Sequence, residues 1–291
     1  MRLATILLAS VLVCAATAVH AQDTASTSNL RPSPDSQLVK LTLRDGSVLI
    51  GRVLEVTPTI VRFASAVGES SIPRSAIRRV ESTATTSIHV GEFWPEDPSR
   101  TRLFFAPTGR MQHAHETYFS DAYILFPSIQ AGLTDHFSLG GGMSIVPGLG
   151  LDEQLFYITP KVGLYASPKL NVAVGALVAG AGSISDNNPV GLGYGVATFG
   201  GEDASVTAGA GFGFSGANSS PAIFMLGGSV RVSRNVALVS ENYVYSERST
   251  SALLSGGFRF MSDRIAVDFA GFTVSDGGVP IIPYVAFIYR F

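Results

Sequence analysis

The chain is poor in cysteine, in charge and in long apolar runs. Its one cysteine is Cys14, inside a segment that reads as removed on export. The mature chain then has no thiol, disulfide or Cys-based metal site. Charged residues are 14% of the 291, an odd composition for a cytosolic enzyme when joined to 31 glycines and a mean hydropathy of +0.31. The net charge of -2 gives no whole-chain attraction to nucleic acid. No later window holds about 18 consecutive apolar residues, which excludes a bundle of membrane-crossing helices. It leaves strands open, since a membrane-crossing strand needs only about ten residues.

Residues 1–21 have the form of a secretory signal. Arg2 is basic, Leu3 to Val13 is apolar, and Val19-His20-Ala21 offers a cleavage site. Residues 22–36, rich in Ser, Thr, Asp and Pro, read as a tether. Residues 37–82 read as a small β module. Asp45-Gly46 is a hairpin signal, Gly51 marks a bulge or a close approach, and Ser75 to Val80 closes the unit as a strand or a helical turn. Residues 83–100 are a second linker. Its Trp94 reads equally as an anchor at a lipid–water boundary or as packing for the linker.

From 101 to 291 the pattern is strands and turns. Tight polar turns recur at about thirty residues: Thr134-Asp135-His136, Ser167-Pro168-Lys169, Ser233-Arg234-Asn235 and Ser262-Asp263-Arg264, with a looser copy at Gly201-Glu202-Asp203. Longer polar loops alternate with them, the first at Thr108 to Phe119. The expected fold is all-β: a transmembrane antiparallel barrel of about twelve strands, or ten if Thr101 to Ala106 lies outside the sheet. Along the strands, apolar residues at every second position oppose Lys161, Arg231, Arg259, Asp268 and Arg290. Lys or Arg facing lipid costs about 2–4 kcal/mol at mid-membrane, so these five charges are assigned to the lumen or a rim. They line either a water-filled pore or an internal salt-bridge network that plugs it. Glu241 and Asn242 are adjacent, so one of them is expected at a boundary or loop.

The last strand runs apolar to the final residue, with Val285, Phe287, Tyr289 and Phe291 on one face. It resembles the terminal strand of bacterial outer-membrane β-barrels. That resemblance implies an aromatic end read by the barrel-assembly machinery, contact with outer-membrane lipid, and a seam with a first strand near Leu103 and Phe105. In 37–82, the run Leu41-Thr42-Leu43-Arg44-Asp45-Gly46-Ser47-Val48-Leu49-Ile50-Gly51-Arg52-Val53 resembles the first motif of Sm-like proteins. That implies an SH3/Sm-like barrel placed in the periplasm. Without a base-stacking set beyond Phe63, it is assigned to a periplasmic protein or cell-wall partner and not to nucleic acid.

Chemistry-bearing clusters are sparse. His113, His115 and Glu116 fall in the first long loop but lack a third fixed ligand, so no metal is assigned. Ser120 and Asp121 with those histidines are the nearest approach to a hydrolase set, and no nucleophile motif surrounds them. Gly140-Gly141-Gly142 lacks the helix and Lys of a phosphate loop and reads as room for curvature or a wide lumen. No cofactor and no enzymatic role is expected. Three functions follow: a porin-like channel for small solutes, a structural or anchoring barrel with a plugged lumen that holds the periplasmic module at the membrane, and an outer-membrane hydrolase.

Overall fold

A computed structural model describes residues 32, 38–65, 68–83, 88–89, 92–181, 190–216, 218–246, 250–275 and 280–291. The export segment at 1–21 and nearly all of the tether at 22–36 lie outside the described residues, as do 84–87 and 90–91 of the second linker and most of the loop at 183–190. The chain divides into two compact units, 1–94 and 95–291.

The first unit is an antiparallel sheet of β1 (Leu38–Leu43), β2 (Val48–Val56), β3 (Ile60–Ser65), β4 (Gly68–Pro73) and β5 (Ile77–Thr83), in the order β4-β3-β2-β1-β5. Alternate residues Val39, Leu41, Val53, Val61 and Phe63 point to one buried core with Ile72 and Ile77. Gly46 holds a φ of 88° in the hairpin, where the Ser47 N–H donates to Asp45 Oδ1 at 2.9 Å. Residues 74–80 combine both expected forms: a single 3-10 turn at Arg74–Ala76, then β5. A small hairpin of β6 (Ile88–His89) and β7 (Glu92–Phe93) follows.

The second unit contains a closed antiparallel barrel of twelve strands: β8 (Thr117–Ala122), β9 (Phe126–Thr134), β10 (Phe137–Met143), β11 (Leu155–Ala166), β12 (Leu170–Ala181), β13 (Val190–Gly200), β14 (Ala204–Ser215), β15 (Asn218–Ser233), β16 (Val236–Ser246), β17 (Thr250–Met261), β18 (Ile265–Val274) and β19 (Ile282–Arg290). Every strand pairs with its sequence neighbour, and β19 closes on β8 from Ala286–Ala122 to Arg290–Tyr118. The Phe291 N–H reaches the Thr117 carbonyl at 3.0 Å, so the barrel chain starts and finishes at one end, here the terminal end. The short turns at 135–136, 167–169, 201–203, 234–235 and 262–264 share that end; at the opposite, loop end the connections at 144–154, 182–189 and 275–281 are longer, but those at 123–125, 216–217 and 247–249 are as short as the turns, so the long loops expected at 215–221 and 246–251 are mostly strand.

The barrel has the expected number of strands, but its first strand is not where the sequence placed it. The seam partner of β19 is β8, not a strand near Leu103 and Phe105. Thr101–Pro107 cannot be a strand, because the N–H groups of Phe104, Phe105 and Ala106 converge on one carboxylate, whereas successive N–H groups of a strand point opposite ways. The count is restored by β8 and β9, which fit into 117–134 through a tight turn whose Leu125 N–H donates to the Ala122 carbonyl at 3.1 Å. Tyr123 and Ile124 hold φ of 58° and 64° there, a conformation for which Gly, Asn or Asp is the usual sequence signal.

The side chains sort by the two-residue period. Outward positions carry large apolar groups, among them Val206, Phe212, Phe224, Leu226, Phe258 and Phe269, each half exposed or more. Inward positions carry Thr198, Thr207, Glu241, Arg259 and Asp268, each 1% exposed or less. The arrangement inverts that of a water-soluble barrel. Glycine on inward positions makes room for aromatic rings: a Cβ on Gly175 would collide with Tyr194 Oη, and one on Gly142 would lie 2.5 Å from Tyr157 Cζ.

Candidate functional site: the segment inside the barrel

Residues 95–114 do not join the barrel wall; the chain reaches it at His115 and Glu116, whose backbone bonds Gly132 of β9 at 2.8 Å in both directions. Asp97 starts a turn, accepting the Ser99 N–H at 2.8 Å through Oδ1 and the Arg100 N–H through its carbonyl at 3.1 Å. The Leu103 N–H then donates to the Ala106 carbonyl at 2.8 Å, and the Thr108 N–H to the Thr101 carbonyl at 2.9 Å, folding 101–108 into a compact loop.

This loop meets the wall on many sides. Arg102 Nη1 donates to Ser120 on β8 at 3.1 Å, Gln112 Nε2 to the Gln130 carbonyl on β9 at 3.2 Å, and the Gly109 N–H to Thr198 Oγ1 on β13 at 2.7 Å. From the wall, Lys161 Nζ on β11 donates to the Arg110 carbonyl at 2.6 Å, and Tyr284 Oη on β19 to the Phe104 carbonyl at 3.1 Å. One short segment can touch all these strands of a closed barrel only from the lumen, so 95–114 is an internal plug.

Two buried charged anchors fix it. Glu241 Oε2 accepts the N–H groups of Phe104, Phe105 and Ala106 at 2.8, 3.0 and 2.9 Å, and Oε1 accepts the Tyr243 hydroxyl at 2.7 Å. Three consecutive N–H groups form an anion nest, which offsets the cost of burying the carboxylate. Arg259 holds Asp268, its cross-strand neighbour, through two bonds of 2.7 and 2.9 Å. It also reaches Asp97 Oδ2 at 2.9 Å and the Leu103 carbonyl at 2.6 Å. At the terminal end, Glu96 and Glu116 share Arg100 (2.8 and 3.1 Å) and Arg290 (2.8 and 3.4 Å). Burial works against the charge of Glu116, but Arg100, the His113 N–H and Arg290 outweigh it and hold the carboxyl below its ordinary range.

The charges singled out from sequence thus meet the plug: Lys161, Arg259, Asp268 through Arg259, Arg290, and Arg231, whose Nη1 donates to the Pro95 carbonyl at 2.6 Å. On β19, Tyr284, Ala286 and Ile288 are buried, while Val285, Phe287, Tyr289 and Phe291 occupy the opposite, more exposed face.

Several expectations are corrected. Neither Glu241 nor Asn242 lies at a boundary; both sit within β16, where the ladder to β17 is interrupted between Ser240–Gly256 and Tyr243–Leu253. Asn242 faces outward with its amide engaged: Nδ2 donates to the Leu226 carbonyl at 3.2 Å and Oδ1 accepts the Ser255 N–H at 3.0 Å. His113 and His115 do not belong to a loop between strands. They approach β8 at the terminal end, beside the turn at Asp135, which accepts the Ala114 N–H at 2.9 Å. His113 is exposed and nears Glu96 at 4.0 Å, while Ser120 bonds Ser128 and Arg102 and Asp121 accepts the Phe126 N–H.

On the loop-end side of the plug the lumen holds a cavity of about 430 Å³. Its floor includes plug residues Thr101, Arg102, Phe105, Ala106 and Pro107, and its wall includes Tyr118, Tyr157, Tyr194, Tyr243 and Tyr284. Sequence reading missed both plug and cavity. The available signal was the failure of alternation at Leu103-Phe104-Phe105, followed by Pro107.

No protein-family model matches the chain, and no curated protein does. Among solved structures, it is similar to the KdgM porin in complex with disordered oligogalacturonate, with 10% identity and a TM-score of 0.46 over 60% of this chain and 98% of that one. The NanC porin gives 8% identity and 0.40 over 60% and 97%, and Salmonella typhi OmpF in complex with daunomycin 9% and 0.31 over 88% and 95%. At such scores these likenesses add nothing to the barrel defined by the chain's own strand pairing.

Proposed function

We propose that this chain is an outer-membrane β-barrel protein whose lumen is closed by residues 95–114, and that it serves as an anchoring barrel for its N-terminal module. The outward belt of Val, Leu, Ile and Phe supports a lipid-facing wall, and closure of the sheet leaves no strand edge unpaired in lipid. In this reading the terminal end lies in the periplasm, and β1–β5 form an SH3/Sm-like module that meets a periplasmic protein or the cell wall. The observation that carries it is the plug: Glu241 and Arg259, both fully buried, hold adjacent stretches of its backbone, the N–H groups of Phe104 to Ala106 and the carbonyl of Leu103.

The porin-like reading draws support from the charged wall behind the plug and requires the plug to leave. Planar-bilayer conductance decides between them. The folded wild type is expected to be silent, whereas Glu241→Ala combined with Asp97→Ala, which removes the nest carboxylate and the plug's ion pair with Arg259, is expected to give channel openings. Steady conductance from the wild type would overturn the plugged reading.

A further inference from the structure

The cavity above the plug has a composition that neither anchoring nor closure requires. The wall of the cavity sets tyrosyl and aliphatic side chains among Ser120, Ser128, Gln130, Ser138 and Thr159, and most of its surface is apolar. Leu155 and Leu177 share the inward period with Lys161 and Ala173, yet stay 37% and 38% exposed; they face open lumen. Phe126 and Leu155 are the loop-end residues of their strands, so the cavity runs from the plug to the loop-end rim. An anchoring barrel gains nothing from apolar side chains held against open lumen, where each leaves surface in contact with water.

The charges at the cavity are of one sign. Among its lining residues only Arg102 and Lys161 are charged, and neither has an ion-pair partner among the described residues. The carboxylates of Glu241 and Asp268 lie outside the lining, turned onto backbone N–H groups and onto Arg259. Arg102 donates through Nη1 to Ser120, while Nε and Nη2, the two donors of one guanidinium edge, are buried and have no hydrogen-bond partner. Lys161 sits on the Arg110 and Thr101 carbonyls at 2.6 and 3.4 Å. Apolar walls over a cationic floor suit a molecule with an apolar body and an anionic head, and the volume falls in the usual range for small-ligand sites.

We propose that this cavity is a binding site for a small amphipathic carboxylate, entered from the loop end, with its head toward Arg102 and Lys161 and its aliphatic or aromatic body among the tyrosines. The site rests on the plug supplying its floor, so conductance is read on the same preparation. The probes are decanoate and decanol, titrated calorimetrically into the full chain in lipid nanodiscs, with empty nanodiscs subtracted. Decanoate is expected to bind saturably at one site, about tenfold more tightly than decanol, as a charge-assisted contact gives. Ile223→Trp, which fills the cavity from β15, is expected to weaken both at least tenfold. Arg102→Gln is expected to bring decanoate to the level of decanol while leaving decanol unchanged; Arg102→Lys, which keeps the charge, is expected to retain part of the preference. A silent, heat-modifiable barrel that shows no saturable decanoate binding, or equal binding in the Ile223→Trp variant, would overturn the site and leave the plug intact. Equal affinity for decanoate and decanol would overturn the carboxylate assignment. A conducting wild type would overturn the plug and the site together.

Discussion

Ile124 sits at φ 64° with its side chain 82% exposed, so no packing rewards the left-handed backbone it adopts. A branched side chain there costs about 1–2 kcal/mol. Ile124→Asn is therefore expected to stabilise the barrel by about 1 kcal/mol, seen as a higher denaturant midpoint in the gel-shift assay. The pair Arg259–Asp268 should behave in the opposite way. Removing one partner, as in Asp268→Ala, leaves a buried guanidinium with half its charge partners and is expected to destabilise by about 3–5 kcal/mol. Replacing both, as in Arg259→Met with Asp268→Leu, is expected to cost clearly less than the sum of the single changes, because neither member of the pair is left buried without the other and only Asp97, at the plug, loses its partner. Comparison of the four urea midpoints checks this.

At the scale of elements, the network of Glu96, Arg100, Glu116 and Arg290 ties the plug to β19. The depressed carboxyl of Glu116 contributes stability above its unfolded pKa, and that contribution is lost as pH falls through the lower folded value. Glu116→Gln is thus expected to lower the unfolding midpoint at neutral pH and to match the wild type only once pH has dropped below the depressed folded value. A midpoint difference that persists in acid would refute the linkage. The strands themselves were legible, because alternation of Phe258, Phe260 and Phe269 against Arg259 and Asp268 is a local signal. The β8–β9 turn was not, since Tyr123 and Ile124 carry no turn chemistry and Tyr123 is held from outside the turn, by an edge-to-face contact with Tyr284 at 5.4 Å and by its N–H on the Val285 carbonyl. Nor was the role of Glu241 legible: its partners lie 135 to 137 residues away in sequence, and only closure of the barrel brings them together.

For the molecule as a whole, the apolar belt and the final aromatic residue make one expectation. Deletion of Phe291 is expected to reduce the yield of the heat-modifiable form in outer membranes by several-fold, without altering the unfolding midpoint of barrels that do assemble. An unchanged yield would remove the terminal aromatic from the assembly signal. The charges assigned to the lumen by exclusion from lipid did not disclose what they meet there, because the energetic argument concerns only the outward face. The plug has a consequence for the order of events in assembly. Its chain enters and leaves at the terminal end, with Glu96 and Glu116 side by side, and Arg290 is carried by the last strand to join. A barrel that zipped shut around an empty lumen would hold Arg290 beside Glu116, at the start of β8, but without Glu96. The full clasp on Arg290 thus forms only when Glu96 arrives with the plug, which ties the last contacts of the seam to lumen occupancy. Barrels with Glu96→Ala and Glu116→Ala are expected to close more slowly, and to trap more open-seamed intermediates, than their equilibrium stability alone would dictate.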